Sequence, residues 1–215
     1  MKKLRTVCFP FLAGALYVWF LILDLTHLGD STLVKYAAIL LCLAVSLTGL
    51  DSRDGVLVTL ALAFTVGADT FLLLRNDHYV LGVGLFCAAQ LLYCVRLGLI
   101  RGRAWVPGLV VRPIPLVAVL LLGATPLMAV TAFYFTNLVV NTVEAFALRR
   151  KDAHGRLFAV GLALFVGCDL CVGGWNLMLF PAFTRVGMWL FYLPSQVCIV
   201  LSAPMKGVFH ETEAV

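Results

Sequence analysis

The sequence predicts an all-α fold: a polytopic transmembrane bundle of about eight helices, forming one transmembrane domain over residues 1–215. Three observations predict it. Mean hydropathy is +1.02, with apolar residues at 62% and charged residues at 13%. The 215 residues hold about eight apolar stretches of ~20 residues, the length that crosses a ~30 Å hydrocarbon core. Nearly all the cations fall between those stretches, so the net charge of +5 reads as a topology signal rather than a nucleic-acid footprint. Such a chain has no room for a soluble domain. Its basic start, MKKLR, is followed by no small-residue cleavage motif, so a cleavable signal peptide is not expected.

The first span is expected at about residues 7–23, followed by a polar turn with Asp24, His27 and Asp30. A second, at about 33–50, carries Lys35 near its start, where the ammonium can snorkel to the interface. After the short loop Asp51, Arg53, Asp54 comes the third, at about 56–74, with Asp69 inside it. The fourth, at about 79–95, places Gln90 and Tyr93 on one face. A basic loop with Arg96, Arg101, Arg103 and Arg112 follows. The apolar run up to Leu148 is too long for one helix and is broken at Gly123–Pro126. It divides into a fifth span at about 106–122 and a sixth at about 127–148. Beyond the second basic loop (Arg149, Arg150, Lys151, Arg156) lie a seventh at about 157–177, with Asp169, and an eighth at about 183–203.

Two strongly basic loops belong on the same, cytoplasmic, side, so an even number of crossings separates them. Eight spans then put both termini in the cytoplasm and leave only Lys35, Arg75 and Arg185 outside. The host membrane, bacterial inner membrane or endoplasmic reticulum, is left open, as is the oligomeric state.

An Asp in mid-membrane costs about 2.5–3.5 kcal/mol on insertion scales. This chain carries two, in matching contexts. Residues 66–76 read VGADTFLLLRN and residues 166–176 read VGCDLCVGGWN, each with an Asn seven residues after the Asp. The echo continues into the next span as VGLF with Gln90 and VGMWLF with Gln196, with a two-residue slip. Four spans separate the copies, which fits a parallel 4+4 repeat about an axis along the membrane normal. Asp69 and Asp169 then sit at one depth, in the outer half.

Other polar groups gather on single helical faces. Tyr134, Asn137, Asn141 and Glu144 follow one another at spacings of three, four and three along the sixth span. That stripe is either interhelical hydrogen bonding or the wall of a wet cavity. Asp169, Gly173 and Asn176 share a face of the seventh span, and Tyr192 and Gln196 lie four apart on the eighth. All seven cysteines fall in spans, which argues against a disulfide framework. Cys168 and Cys171 form C-x-x-C without further paired ligands, so they read as small core residues and no metal or cofactor is implied.

The chain resembles the YhhN-like lysoplasmalogenase family of eight-span membrane hydrolases. The resemblance rests on LVKYAAILLCLA in the second span and VGADTFLLL followed by Gln-Leu-Leu-Tyr in the third and fourth. It continues with GLALFVGCDL in the seventh and the Tyr192–Gln196 pair in the eighth. It departs from the usual pattern at three points: Gly-Ala-Asp replaces Gly-Asp, Gln90 stands where many members have His, and Cys168 replaces Ser. The resemblance implies hydrolysis of the vinyl ether of lysoplasmalogens to an aldehyde and a glycerophospho-alcohol, with Asp69 and Asp169 as catalytic residues.

General chemistry agrees with that implication. Vinyl ethers hydrolyse by protonation at carbon, and water captures the resulting oxocarbenium ion. A desolvated carboxyl can hold a proton near neutral pH, and a second carboxylate can stabilise the cation or activate water, as in glycosidases. The expected partners are a lysophospholipid substrate and membrane lipids. Lys35, Gln90, Tyr93, Asn137, Asn141, Asn176, Arg185, Tyr192 and Gln196 are the candidate substrate-binding residues, with Lys35 or Arg185 meeting the phosphate. Two rival readings share the same acids: a proton-coupled small-molecule or lipid transporter, against which the spans show no strong paired Pro/Gly breaks, and a non-catalytic lipid-binding protein.

Overall fold

Apolar runs bounded by caps and loop cations set the helices. In the computed structural model, residues 4–26, 28–148 and 152–203 are described; His27, the cations Arg149, Arg150 and Lys151, and both termini lie outside them. The described residues are helical, without strands. The helices are α1 (Phe9–Thr26), α2 (Thr32–Ser46), α3 (Arg53–Asp69), α4 (Tyr79–Arg101), α5 (Val106–Val111), α6 (Ile114–Leu121), α7 (Pro126–Leu148), α8 (Ala153–Asn176) and α9 (Pro181–Leu201). A π-helical turn, Leu4–Cys8, leads into α1, and α3 continues as a π-helical segment, Thr70–Arg75. Among the described residues, seven helical segments are long and apolar enough to cross a membrane.

The expected fifth span needs correction. Residues 106–122 are not one helix but α5 and α6, and the stretch Val106–Leu121 falls short of membrane length. At 1.5 Å per residue it spans roughly 24 Å. The reason is local: Pro113 and Pro115 remove two backbone donors, and a proline ring obstructs the turn before it.

Six helices close a ring in the order α2, α3, α4, α7, α8, α9, each packed on the next and α9 returning to α2. Helix α1 lies against α2 and α9, and α6 against α7. Advancing three places around the ring carries α2, α3 and α4 onto α7, α8 and α9, the order in which the two Asp-bearing sequence copies occur. The caps follow the same order. Ser52 Oγ accepts from the Gly55 amide at 2.9 Å at the start of α3, and the Asp152 carboxylate accepts from the Gly155 amide at the start of α8. Each satisfies an otherwise orphaned helix donor.

Small residues set the closest approaches, as expected where lipid tails compete with apolar side chains. A Cβ on Gly67 of α3 would come within 3.3 Å of Leu85 on α4, and one on Gly167 of α8 within 3.3 Å of Phe191 on α9. At Gly161 it would meet Ile199 Cγ1 at 2.9 Å and the Ser195 carbonyl at 3.0 Å. Pro194 interrupts the hydrogen-bond ladder of α9. The Leu190 carbonyl, which loses its usual donor four residues on, accepts instead from Tyr17 Oη of α1 at 3.2 Å.

Three arginines expected in the basic N-terminus and loops turn into the bundle. Arg5 donates to the carbonyls of Val200 and Ala203. Arg96, only 2% exposed, forms a two-pronged pair with Asp54 at 2.6 and 2.8 Å. Arg112 reaches from the α5–α6 break to Asn137 Oδ1 and Asn141 Oδ1, both at 2.7 Å.

Candidate functional site

Helix α3 ends at Asp69, and there the backbone widens from α to π geometry. Such wide turns recur at functional sites. Asp69 is 5% exposed, and its Oδ2 accepts from Tyr192 Oη of α9 at 2.6 Å. The next residue, Thr70, shares a 2.9 Å hydrogen bond with Tyr36 of α2. Asp69 therefore stands at a junction of α2, α3 and α9.

Asp169 occupies the corresponding place on α8. Tyr134 of α7 faces it, but no hydrogen bond of normal geometry closes. Asp169 Oδ2 and Tyr134 Oη are both buried without a partner among the described residues. The two acid–tyrosine sets meet at Phe165. Its ring lies 5.6 Å from that of Tyr192 and 6.5 Å from that of Tyr134, with Phe86 at 5.8 Å. Cys168, next in the chain to Asp169, is within electrostatic reach of both carboxyls. This sequence thus surrounds two acids with aromatic rings and leaves Asp169 Oδ2 buried without a hydrogen-bond partner among the described residues.

Beyond Tyr192, Trp189 packs edge-on at 5.4 Å. Lys35 Nζ lies 4.7 Å over the Trp189 ring and 5.8 Å from that of Phe20. This Lys does not snorkel. It is 8% exposed and pairs with Asp24 at 2.7 Å, while Ser31 donates to the same carboxylate. Asp24 and two aromatic faces compensate the ammonium, so it presents no free charge to a phosphate. Arg185 is exposed and donates to the Asp24 carbonyl at 3.3 Å.

The other candidate residues divide differently. Gln90 turns to α7, where Asn141 Nδ2 donates to its Oε1 at 3.0 Å and to its carbonyl at 2.8 Å. Asn137 and Asn141 serve Arg112, and Glu144 accepts from Arg101 at 2.9 Å. In their partners, Asn137, Asn141 and Glu144 follow the interhelical hydrogen-bonding reading, tying α4, the α5–α6 break and α7 together. Tyr93 packs edge-on to Phe158 at 5.4 Å, and its hydroxyl has no partner among the described residues. Gln196 donates to Ser195 Oγ at 3.2 Å, and its Oε1 likewise has no partner among the described residues. Asn176 is exposed and donates to Val172 of its own helix. Buried polar atoms are normally paired with protein or ordered water, so the free atoms of Tyr93, Tyr134, Asp169 and Gln196, with Gln90 Nε2, make the interior a polar one.

The model of one protein family, YhhN, matches residues 31–203. The chain belongs to the YhhN family. The match begins at Ser31, leaves α1 outside, and runs through α5, α6 and α7 as well as the helices that carry the two acids. No curated protein and no solved structure matches the chain. For this YhhN protein the structure brings two further residues, Tyr134 and Phe165, to the acids. Tyr134 was visible in the polar stripe of the sixth span, but only the fold points it at Asp169. Phe165 looked like any core aromatic.

Proposed function

We propose that this YhhN-family chain is a membrane-embedded hydrolase of the lysoplasmalogenase type, cleaving the vinyl ether of a lysoplasmalogen. The observation that carries the reading is the placement of two intramembrane carboxyls, each opposite a tyrosine hydroxyl, around one aromatic ring.

Asp169, whose Oδ2 is buried without a partner among the described residues, is assigned proton delivery. Its proton goes to the outer vinyl carbon, the C=C π pair forms the new C–H bond, and an oxygen lone pair completes the oxocarbenium ion. Asp69, oriented by Tyr192, stabilises that cation and receives a proton from the attacking water, as paired carboxyls do in glycosidases. The resulting hemiacetal collapses. Its bond to the glycerol oxygen breaks, a proton passes to that oxygen, and an aldehyde and a glycerophospho-alcohol leave, with one water consumed. The aromatic rings of Phe86, Phe165 and Tyr134 offer the cation negative π faces.

The test is aldehyde release by the purified protein from a lysoplasmalogen, beside its saturated ether analogue. The vinyl ether is expected to be cleaved and the saturated ether left intact, because only the former can be protonated at carbon. Absence of aldehyde from folded protein would overturn the reading.

A further inference from the structure

At the end of the bundle that carries the basic loops, a cavity of about 380 Å³ opens between the starts of α3 and α8 and the ends of α4 and α7. Its walls include Leu97, Ile100, Leu148 and Phe158. Arg96 lines it with every arm engaged: it pairs with Asp54, donates to Ser202 Oγ at 2.7 Å and to the Ser202 carbonyl at 3.0 Å, and lies 4.2 Å over the Phe158 ring. Of the lining acids, Asp54 is paired with Arg96, and Asp152 caps α8 through one oxygen, which accepts from the Gly155 amide. Two groups remain for a ligand. His154 Nδ1 is buried without a partner, and Arg53 is exposed and in no ion pair among the described residues.

We propose that this cavity binds an anionic phospholipid, its phosphate held by His154 and Arg53 and the first part of a chain lying against Leu97, Ile100 and Leu148. A guanidinium, and an imidazole with its proton on Nδ1, can each donate to a phosphate. The mostly apolar wall suits an amphiphile rather than a soluble anion. Basic pockets between membrane helices on the cytoplasmic side hold anionic headgroups in other proteins, and exposed Arg103 and Arg156 add to the positive field at this end. Asp54 and Asp69 lie roughly 22 Å apart along α3, so this cavity is separate from the two-carboxyl site and does not depend on its reading.

The experiment is thermal unfolding of the purified full chain in detergent, titrated with phosphatidylglycerol, phosphatidylcholine or glycerol 3-phosphate. Phosphatidylglycerol is expected to raise Tm saturably and well beyond phosphatidylcholine. The R53Q/H154Q double variant should weaken its apparent affinity about tenfold or more. R53Q alone, at an exposed position, keeps the test readable if H154Q disturbs folding, and L148W should block the chain while leaving the phosphate contacts. Equal shifts with both lipids, or an unchanged response in R53Q and the double variant, would overturn the proposal. A full shift with glycerol 3-phosphate alone would keep the phosphate contacts but overturn a lipid as the occupant.

Discussion

Tyr192 and Asp69 are 123 residues apart in sequence and 2.6 Å apart at their oxygens, and this contact fastens α9 to the point where α3 turns from α to π geometry. Hydrogen bonds to a charged group contribute about 1.5–3 kcal/mol. Tyr192→Phe removes the donor and little else. It is expected to lower Tm and to lower kcat beyond the loss of folded protein, because Asp69 would lose its orientation. A kcat per folded molecule equal to wild type would reduce Tyr192 to a structural tie.

Asp69→Asn and Asp169→Asn keep shape, but an amide can neither deliver an acid proton nor carry the negative charge. Each should cost about 10²–10⁴ in aldehyde release, the usual range for lost acid–base catalysis. Since the two act as a unit, the double variant should be little worse than either single one. Near-wild-type turnover in either single variant would remove that residue from the mechanism.

Tyr17 and Pro194 are linked through a carbonyl. Tyr17→Phe removes the donor to the Leu190 oxygen and should cost about 0.5–1.5 kcal/mol in stability, the net contribution of a typical intramolecular hydrogen bond. Pro194→Ala restores the backbone donor, so the Tyr17→Phe penalty should shrink in that background. A double-mutant cycle by denaturation measures this coupling, and additive effects would show that Tyr17 is not serving that carbonyl.

The charge distribution predicts both termini in the cytoplasm, which requires the stretch Val106–Leu121 to cross despite its break at Arg112–Pro113. Reporters inserted at Gly102–Arg103, before the stretch, and in the Gly123–Thr125 turn, after it, settle this between them. Opposite compartments for the two sites would confirm the crossing. The same compartment for both would leave seven crossings among the described residues.

The places of the seven long helices, and Asp69 and Asp169 as out-of-place charges, were readable in the sequence because these signals are local. A ~20-residue apolar window marks a span wherever it occurs, and a carboxylate inside it stands out without any partner known. The YhhN resemblance could likewise be read from short phrases in fixed order. The partners could not. Arg5, Arg96 and Arg112 looked like basic-end and loop cations, Lys35 like a snorkelling one, and Tyr134 like one member of a stripe. Each is a long or rotatable side chain whose destination depends on which acceptor the fold brings within reach: Val200 for Arg5, Asp54 for Arg96, Asn137 and Asn141 for Arg112. Only the closed ring of helices supplies those acceptors, and an uncompensated buried cation is too costly to settle anywhere else.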